Sequence, residues 1–414
     1  MKQTKLIIIG AGSRGAGYAE YAIEHPEQAT IVGISEPRAE YRNHLAEKHN
    51  VPANRLFDDW QELAAQSKLA DAVIIATPDA EHTAPAIAFA KKGYHVLLEK
   101  PMSLSEAKCK EIADTVTEAG IIFAVCHVLR YTAFTRKLKE LLDGGLIGDI
   151  VSLQALEPVG YWHQAHSFVR GNWRNEAESS SMLLAKCCHD IDWISHIMNV
   201  PCTAVHSFGS LKHFRKEEQP EGAADRCIDC AVETDCPYSA KKIYSGFLDK
   251  GLKGWPLDVL TSDVTEENIA EALRTGPYGR CVYACDNDVV DHQVVNMQFD
   301  GGQTASLTMT AFTEASARKI RIFGTKGEID CDSSTIRHFD FLTDQWETIE
   351  TDPVDHSILG GHGGGDYGLM KAFIGAIANN DPSLVLSGPT ETLESYRMVF
   401  AAETARREER VVHI

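Results

Sequence analysis

The chain has 414 residues, too many for one ordinary hydrophobic core, so two domains are the default expectation. Hydrophobic residues at 44% and charged residues at 24% describe a soluble globular protein, and 40 basic against 59 acidic side chains leave a formal charge of −19. Acids spread along the whole chain disfavour nucleic acid and anionic membranes as partners, and no apolar run approaches the roughly 20 residues needed to cross a bilayer.

The first residues, "MKQTKLIIIGAG", begin like a signal peptide, but the apolar run is too short and leads directly into glycines. Eleven cysteines, an odd number that includes adjacent Cys187 and Cys188, fit reduced thiols and a cytoplasmic location better than a disulfide framework. The stretch "TKLIIIGAGSRGAGYAEYAIEHP" then reads as a strand, a glycine turn and a helix that ends before Pro26. Gly10, Gly12 and Gly15 form a G-x-G-x-x-G pattern, with Ser13 and Arg14 at the helix start. Gly10 allows the tight turn, Gly12 lets the backbone approach a pyrophosphate, and Gly15 lets helix and strand pack closely. The next strand, "ATIVGIS", leads to Glu36, 21 residues after Gly15, where a ribose-binding carboxylate is expected. Glu36 would repel a 2′-phosphate and so favours NAD, while Arg38 could hold that phosphate and leaves NADP open.

"DAVIIATP" and "YHVLLEKP" read as buried parallel strands separated by the helical "APAIAFAKKG". "SLSEAKCKEIADTVTEAG" is a helix with Ser103 and Glu106 in capping-box spacing, and "IIFAVC" is a further strand. This alternation predicts an α/β fold with a doubly wound parallel sheet, whose ligands bind beyond the carboxyl ends of the strands. Thr77, Pro78, Glu99 and Lys100 fall at such ends, and Pro101 fixes the exit of the last. Lys100 would project toward a nicotinamide, whose positive charge favours the neutral amine and hence proton transfer.

After "VCHVLRY" the β-α pattern stops. "GYWHQAHSFVRGNWRNE" concentrates Tyr161, Trp162, His163, His166, Arg170 and Trp173, groups that stack on C–H faces and hydrogen-bond a polyhydroxylated ligand. Arginines in so acidic a chain point to an anionic group on that substrate. "SMLLAKCCHDIDW" (181–193) reads as a helix with Lys186 and His189 on one face and Asp190 adjacent, and its two cysteines, about 100° apart, as core. "RCIDCAVETDCPYSAKK" places Cys227, Cys230 and Cys236 in C-x₂-C-x₅-C spacing. Cys281 or Cys285 could complete a structural zinc site pinning residues 217–276, which show little regular periodicity. "GGHGGGD" reads as a tight connection and not as a phosphate loop, and a long amphipathic helix should finish the chain.

The glycine fingerprint, Thr77–Pro78 followed by His82, "EKP" at Glu99–Pro101, "HDID" at His189–Asp192, "GTKGEI" at Gly324–Ile329 and "GHGGGD" at Gly361–Asp366 together resemble the Gfo/Idh/MocA oxidoreductases. The resemblance spans nearly the whole chain. It implies an N-terminal Rossmann domain over 1–126 and a C-terminal α/β domain over 127–414 with a large, mainly antiparallel open sheet. Homodimers or homotetramers formed through that sheet are also implied. So is NAD(P)-linked hydride transfer at a carbinol of a sugar, cyclitol or sugar derivative. His82 joins the expected cofactor residues, and Arg130 and Asp190 the expected substrate residues. The family's triad would be Lys100, an aspartate four residues before the histidine, and His189; here the aspartate position holds Ala185, with Lys186 next to it. That departure keeps a redox-neutral glycosidase, acting by oxidation and elimination, as the alternative activity. Retention of Lys100 and His189 argues against a non-catalytic nicotinamide sensor.

Overall fold

Aliphatic runs with both faces covered set the first sheet. In the computed structural model, which describes residues 3–351 and 362–414, β1 (Thr4–Ile9) lies centrally between β2 (Ala29–Ser35) and β4 (Ala72–Ile75). With β3 (Leu56–Phe57), β5 (His95–Leu98) and β6 (Phe123–Val125) the order is β3-β2-β1-β4-β5-β6, all parallel. Alternate side chains feed two separate cores: Ile7, Ile9, Val73 and Ile75 on one face, Leu6, Ile8 and Ile74 on the other. Strand order reverses between β1 and β4, which opens a crevice at their carboxyl ends. The expected doubly wound sheet is therefore present.

Among the described residues the second sheet has nine strands in the order β14-β13-β12-β11-β7-β10-β9-β8-β15. They are β7 (Ile150–Pro158), β8 (Cys202–Ser210), β9 (His292–Phe299), β10 (Thr304–Thr310), β11 (Lys319–Gly324), β12 (Gly327–Cys331), β13 (Ile336–Asp340), β14 (Gln345–Ile349) and β15 (Val412–His413). Among the described residues, only β7 and β10 pair in parallel. The helices Cys188–Met198 and Pro389–Glu408 cover one face, while Gln154, His206, Asn296 and Thr304 line a shallow groove on the other.

Local chemistry corrects three expectations. The helix Glu106–Glu118 is capped by Ser105, whose hydroxyl accepts from the Lys108 amide; Ser103 instead pairs with Thr83. Residues 181–193 are not one regular helix: Leu183–Cys187 forms a π-helical turn before the α-helix Cys188–Met198 begins. The 217–276 stretch is less irregular than expected, with helices Ala240–Asp249 and Glu266–Thr275 capped by Ser239 and Thr265.

The segment after β6 is anchored by a buried ion pair. Arg130 donates through Nε and Nη2 to both oxygens of Asp192 at 2.7 and 2.8 Å, and through Nη1 to the Leu386 carbonyl. Ser395 donates to the same carboxylate at 2.9 Å. Arg130, expected at the substrate, is thus committed to joining Asp192 to the C-terminal segment. Burial opposes ionisation of Asp192, but Arg130 outweighs it and holds the carboxyl below its usual range. Arg130→Met should destabilise the protein by about 3–5 kcal/mol at neutral pH, because it strands a buried charge. A folded-state value below the unfolded one means the pair's contribution is full above about pH 4 and is lost as pH falls through the folded value. Denaturant titrations of parent and variant should therefore converge on acidification; an equal difference at all pH values would contradict the pairing.

Candidate active site

The glycine turn shows why its residue types are needed. Gly10 has φ +92°, and a Cβ there would lie 2.4 Å from the Ala76 carbonyl oxygen; at Gly15 it would lie 1.9 Å from that of Gly10. Gly12 differs, since a Cβ would meet only Arg38 Nη2 at 3.6 Å, so its surface is open to a ligand. Glu36 sits beside this turn and accepts from the Ala11 amide at 2.9 Å and from the Arg38 amide and Nε at 2.9 and 2.7 Å. Burial opposes its ionisation, but the Arg38 and Ala11 hydrogen bonds prevail and keep it a carboxylate. Arg38 is half exposed and its guanidinium lies 3.9 Å over the Tyr41 ring. Thr77 Oγ1 is buried at the end of β4 with no partner among the described residues, an acceptor and donor available to a bound group.

His82 takes a different place from the one expected. Fully buried, it bridges the carbonyls of Pro101 (2.6 Å) and Thr77 (2.9 Å), so it ties two strand ends together from behind. Glu99 also turns inward. It accepts from Arg14 Nε at 2.6 Å, Tyr18 Oη at 2.8 Å and the Lys100 amide at 2.8 Å, while Arg14 Nη2 reaches Asp366 at 2.5 Å. Asp366 in turn pairs with His362 Nδ1 at 2.9 Å. Gly361 and the residues before it in the glycine run lie outside the described residues.

Lys100 reaches out of the first sheet toward the π-helical turn and donates to the Ala185 carbonyl at 2.9 Å. The position where the family resemblance leads one to expect a carboxylate thus supplies a backbone oxygen. His189 is buried beside it, 5.7 Å ring to ring from both His127 and His362, and its Nδ1 has no partner among the described residues. Burial first, and the Lys100 charge second, push the His189 imidazolium well below the usual histidine range, so this imidazole is neutral.

Next to it lies a four-charge cluster. Arg318 Nε is 2.5 Å from Asp190 Oδ1 and 3.1 Å from Glu157 Oε2, and Lys186 Nζ is 3.3 Å from Glu157 Oε1. Burial pushes the Asp190 carboxyl up, aided by the Glu157 charge; Glu157 itself is driven down by Arg318 and Lys186 against its burial. Lys186, His189 and Asp190 therefore come together with Lys100. Arg318, Glu157, His127 and His362 complete the site and were not singled out in the sequence. Only a histidine at a strand exit and a glutamate closing β7 marked two of them.

The aromatic stretch divides. His163 senses Lys186 and Glu157, is pushed down to about 3 by burial, and packs against Trp255. Trp162 meets Phe247 and Trp255, and Tyr161 is partly exposed. His166 instead stacks on Tyr278 and bonds the Tyr244 hydroxyl at 2.8 Å, a structural contact. Trp173 bridges back to the first sheet, donating to Asp79 at 3.1 Å. Arg170 turns away from the site altogether and donates to the Arg280 and Tyr238 carbonyls and to Cys227 Sγ.

The zinc expected at Cys227, Cys230, Cys236 and Cys281 is not supported. Among the described residues no three metal-ligating side chains converge on one ion. A tetrahedral ion needs four sulfurs about 2.3 Å from one point, whereas these thiols stand apart around a hollow.

Comparison with known proteins bears on the family and the fold. Residues 4–127 match the model described as an oxidoreductase family with an NAD-binding Rossmann fold (Gfo/Idh/MocA), and residues 139–414 match its C-terminal alpha/beta domain. An oxidoreductase of Bacillus subtilis (YteT) is 25% identical over 76% of this chain and 74% of its own. The 2,7-anhydro-N-acetylneuraminate hydratase of Escherichia coli is 28% identical over 50% of this chain and 53% of its own, so that match spans only about half of each protein. The solved structure of levoglucosan dehydrogenase in complex with NADH and L-sorbose superposes with TM-score 0.72 at 19% identity, covering 100% of this chain and 99% of that one, which shows a shared fold.

A neutral His189 is directly measurable. In NMR spectra of histidine-labelled protein its ring should show no protonation through the neutral pH range; a midpoint near the ordinary value of about 6.5 would contradict the burial argument.

Proposed function

The chain belongs to the Gfo/Idh/MocA oxidoreductase family, and on that premise we propose that it is an NAD-dependent dehydrogenase of a sugar, cyclitol or sugar derivative. The observation that carries this reading is the meeting of Lys100, at the end of β5, with the neutral His189 at the end of the cofactor crevice. The open surface at Gly12, the Glu36 carboxylate and the unpartnered Thr77 hydroxyl fit a dinucleotide. When bound, that cofactor supplies hydride acceptance and return at a carbinol carbon. His189, or Lys100 in its neutral amine form, takes the hydroxyl proton, and the Ala185 carbonyl orients the Lys100 side chain.

The charge balance at the site refines the substrate. Lys186 and Arg318 are already paired with Glu157 and Asp190, two cations against two carboxylates. An anionic substrate group would have to displace an internal carboxylate, so a neutral polyol is the better fit. In the Proposed assignment Tyr161, Trp162 and His163 form the substrate wall. We place the domain boundary at 126/127, the protein in the cytoplasm, and a homo-oligomer contact on the outer face of the nine-stranded sheet.

A redox-neutral cycle is the second reading. It is favoured by Asp190, a carboxyl pushed upward within a lysine-bearing cluster that offers acid and base groups beyond the carbinol proton acceptor. It is also favoured by the likeness to a hydratase. Solvent deuterium appearing beside the oxidised carbon without accumulation of NADH would select it over the dehydrogenase.

Lys100→Met and His189→Ala should each leave NAD binding nearly intact but lower turnover by about 10²–10⁴-fold. Unchanged turnover in both would overturn the assignment. NAD should bind at least about tenfold more tightly than NADP, and Glu36→Ser should narrow that gap, as read by calorimetry. Tighter binding of NADP by the parent protein would make Arg38 the specificity residue.

A further inference from the structure

The run His362–Asp366 reads in sequence as a tight connection, yet it ends in a pair of side chains that the proton transfer above does not use. His362 stands in the left-handed region at φ +50°, followed there by Gly363 and Gly364 at +58° and +80°. Glycine takes that conformation freely; a histidine in it is uncommon and points to a functional constraint. Gly365 then opens the helix Gly365–Asn379, and a Cβ on it would lie 2.3 Å from the Val128 carbonyl oxygen. The helix start is therefore pressed against the turn Val128–Tyr131, which fixes Asp366 in place.

Asp366 is buried, and its two oxygens are divided between partners. Oδ1 accepts from Arg14 Nη2 at 2.5 Å, and Oδ2 pairs with His362 Nδ1 at 2.9 Å. Burial disfavours the charge, but His362 and Arg14 outweigh it and hold the carboxyl below its usual range. An ionised carboxylate only accepts, so a neutral His362 carries its proton on Nδ1 and keeps Nε2 as a bare acceptor. The His362 side chain is 38% exposed, whereas His189, 5.7 Å away ring to ring, is 6% exposed. One imidazole thus faces water beside another that does not.

Oxidation of a carbinol passes one hydride to NAD and releases one proton, and that proton has to reach water. His127, the other ring beside His189, is a poor route. It is fully buried, and the Asp192 carboxylate beyond it, 3.7 Å away, is already engaged by Arg130 and Ser395. We propose that the Asp366–His362 dyad is the proton exit of the site. A proton that reaches His189 passes to His362 Nε2, and the resulting imidazolium, held by the Asp366 carboxylate, gives it to solvent. The carbinol then becomes a carbonyl, with its hydride on the cofactor and its hydroxyl proton in water. His362 acts here as a relay and does not touch the reacting carbon. The assignment rests on the dehydrogenase reading above.

His362→Asn isolates the relay, because an asparagine amide can still donate to Asp366 while the bare nitrogen is gone. The assay follows NAD reduction by the full chain with a panel of neutral hexoses and inositols, in a buffer without small bases. Turnover of the variant should fall on the order of 10²-fold, with NAD binding by calorimetry unchanged, and added imidazole should restore most of the rate. Parent-like turnover, or a loss that imidazole does not restore, would overturn the relay while the effect of Lys100→Met still stands. Absence of NAD reduction by the parent with every compound of the panel would overturn the dehydrogenase reading, and the relay with it. Independently of turnover, ¹⁵N spectra of the parent should show neutral His362 protonated on Nδ1; a proton on Nε2 would exclude the dyad.

Discussion

The burial of the Glu99 carboxylate is the constraint from which the site is assembled. A carboxylate removed from water at the end of β5 needs several donors, and they come from two parts of the chain: Arg14 and Tyr18 after the glycine turn, and the Lys100 amide beside it. Burial disfavours the ionised form, but Arg14 reverses the balance and keeps Glu99 charged. Arg14 then carries the network to Asp366, and Asp366 fixes His362, whose ring lies next to His189. One buried charge thereby aligns the cofactor turn, the strand end with Lys100 and the far wall of the site.

The π-helical turn at Leu183–Cys187 serves the same end from the other side. A wider turn changes the angular spacing of the residues that follow, so Lys186 faces Glu157 while His189 faces Lys100. With alanine at 185, the Lys100 ammonium meets a neutral dipole instead of a carboxylate. His189 is neutral, and its Nδ1 has no partner among the described residues.

Much of the first sheet was legible because each element carried its own signal: continuous aliphatic strands, glycines at forced close approaches, and strand ends marked by "TP" and "EKP". Lys100 and His189 were visible for the same reason. Arg130 and Arg170 were misread because a buried arginine and a substrate arginine look alike in sequence; only the carboxylate or carbonyls that meet them tell them apart. The helix Glu266–Thr275 could have been found, since Thr265 precedes two acids and an apolar repeat. The π-helical turn had no local signal at all, because it arises from how the segment is packed.

Arg318 and Glu157 illustrate the remaining dependence of chemistry on fold. They are about 160 positions apart in the sequence, and nothing near either predicts the other. Antiparallel pairing of β11 with β7 sets Lys319 opposite Leu156, so the preceding Arg318 arrives beside the following Glu157. A slip of one residue would turn each side chain to the opposite face and separate the pair. The β7–β11 register is in turn held by buried Ile320, Ile322 and Leu153 packed in the core beneath the helix that bears His189 and Asp190. Hydrophobic packing on that face therefore decides where the guanidinium stands, and the guanidinium partly offsets the burial that pushes the Asp190 carboxyl up.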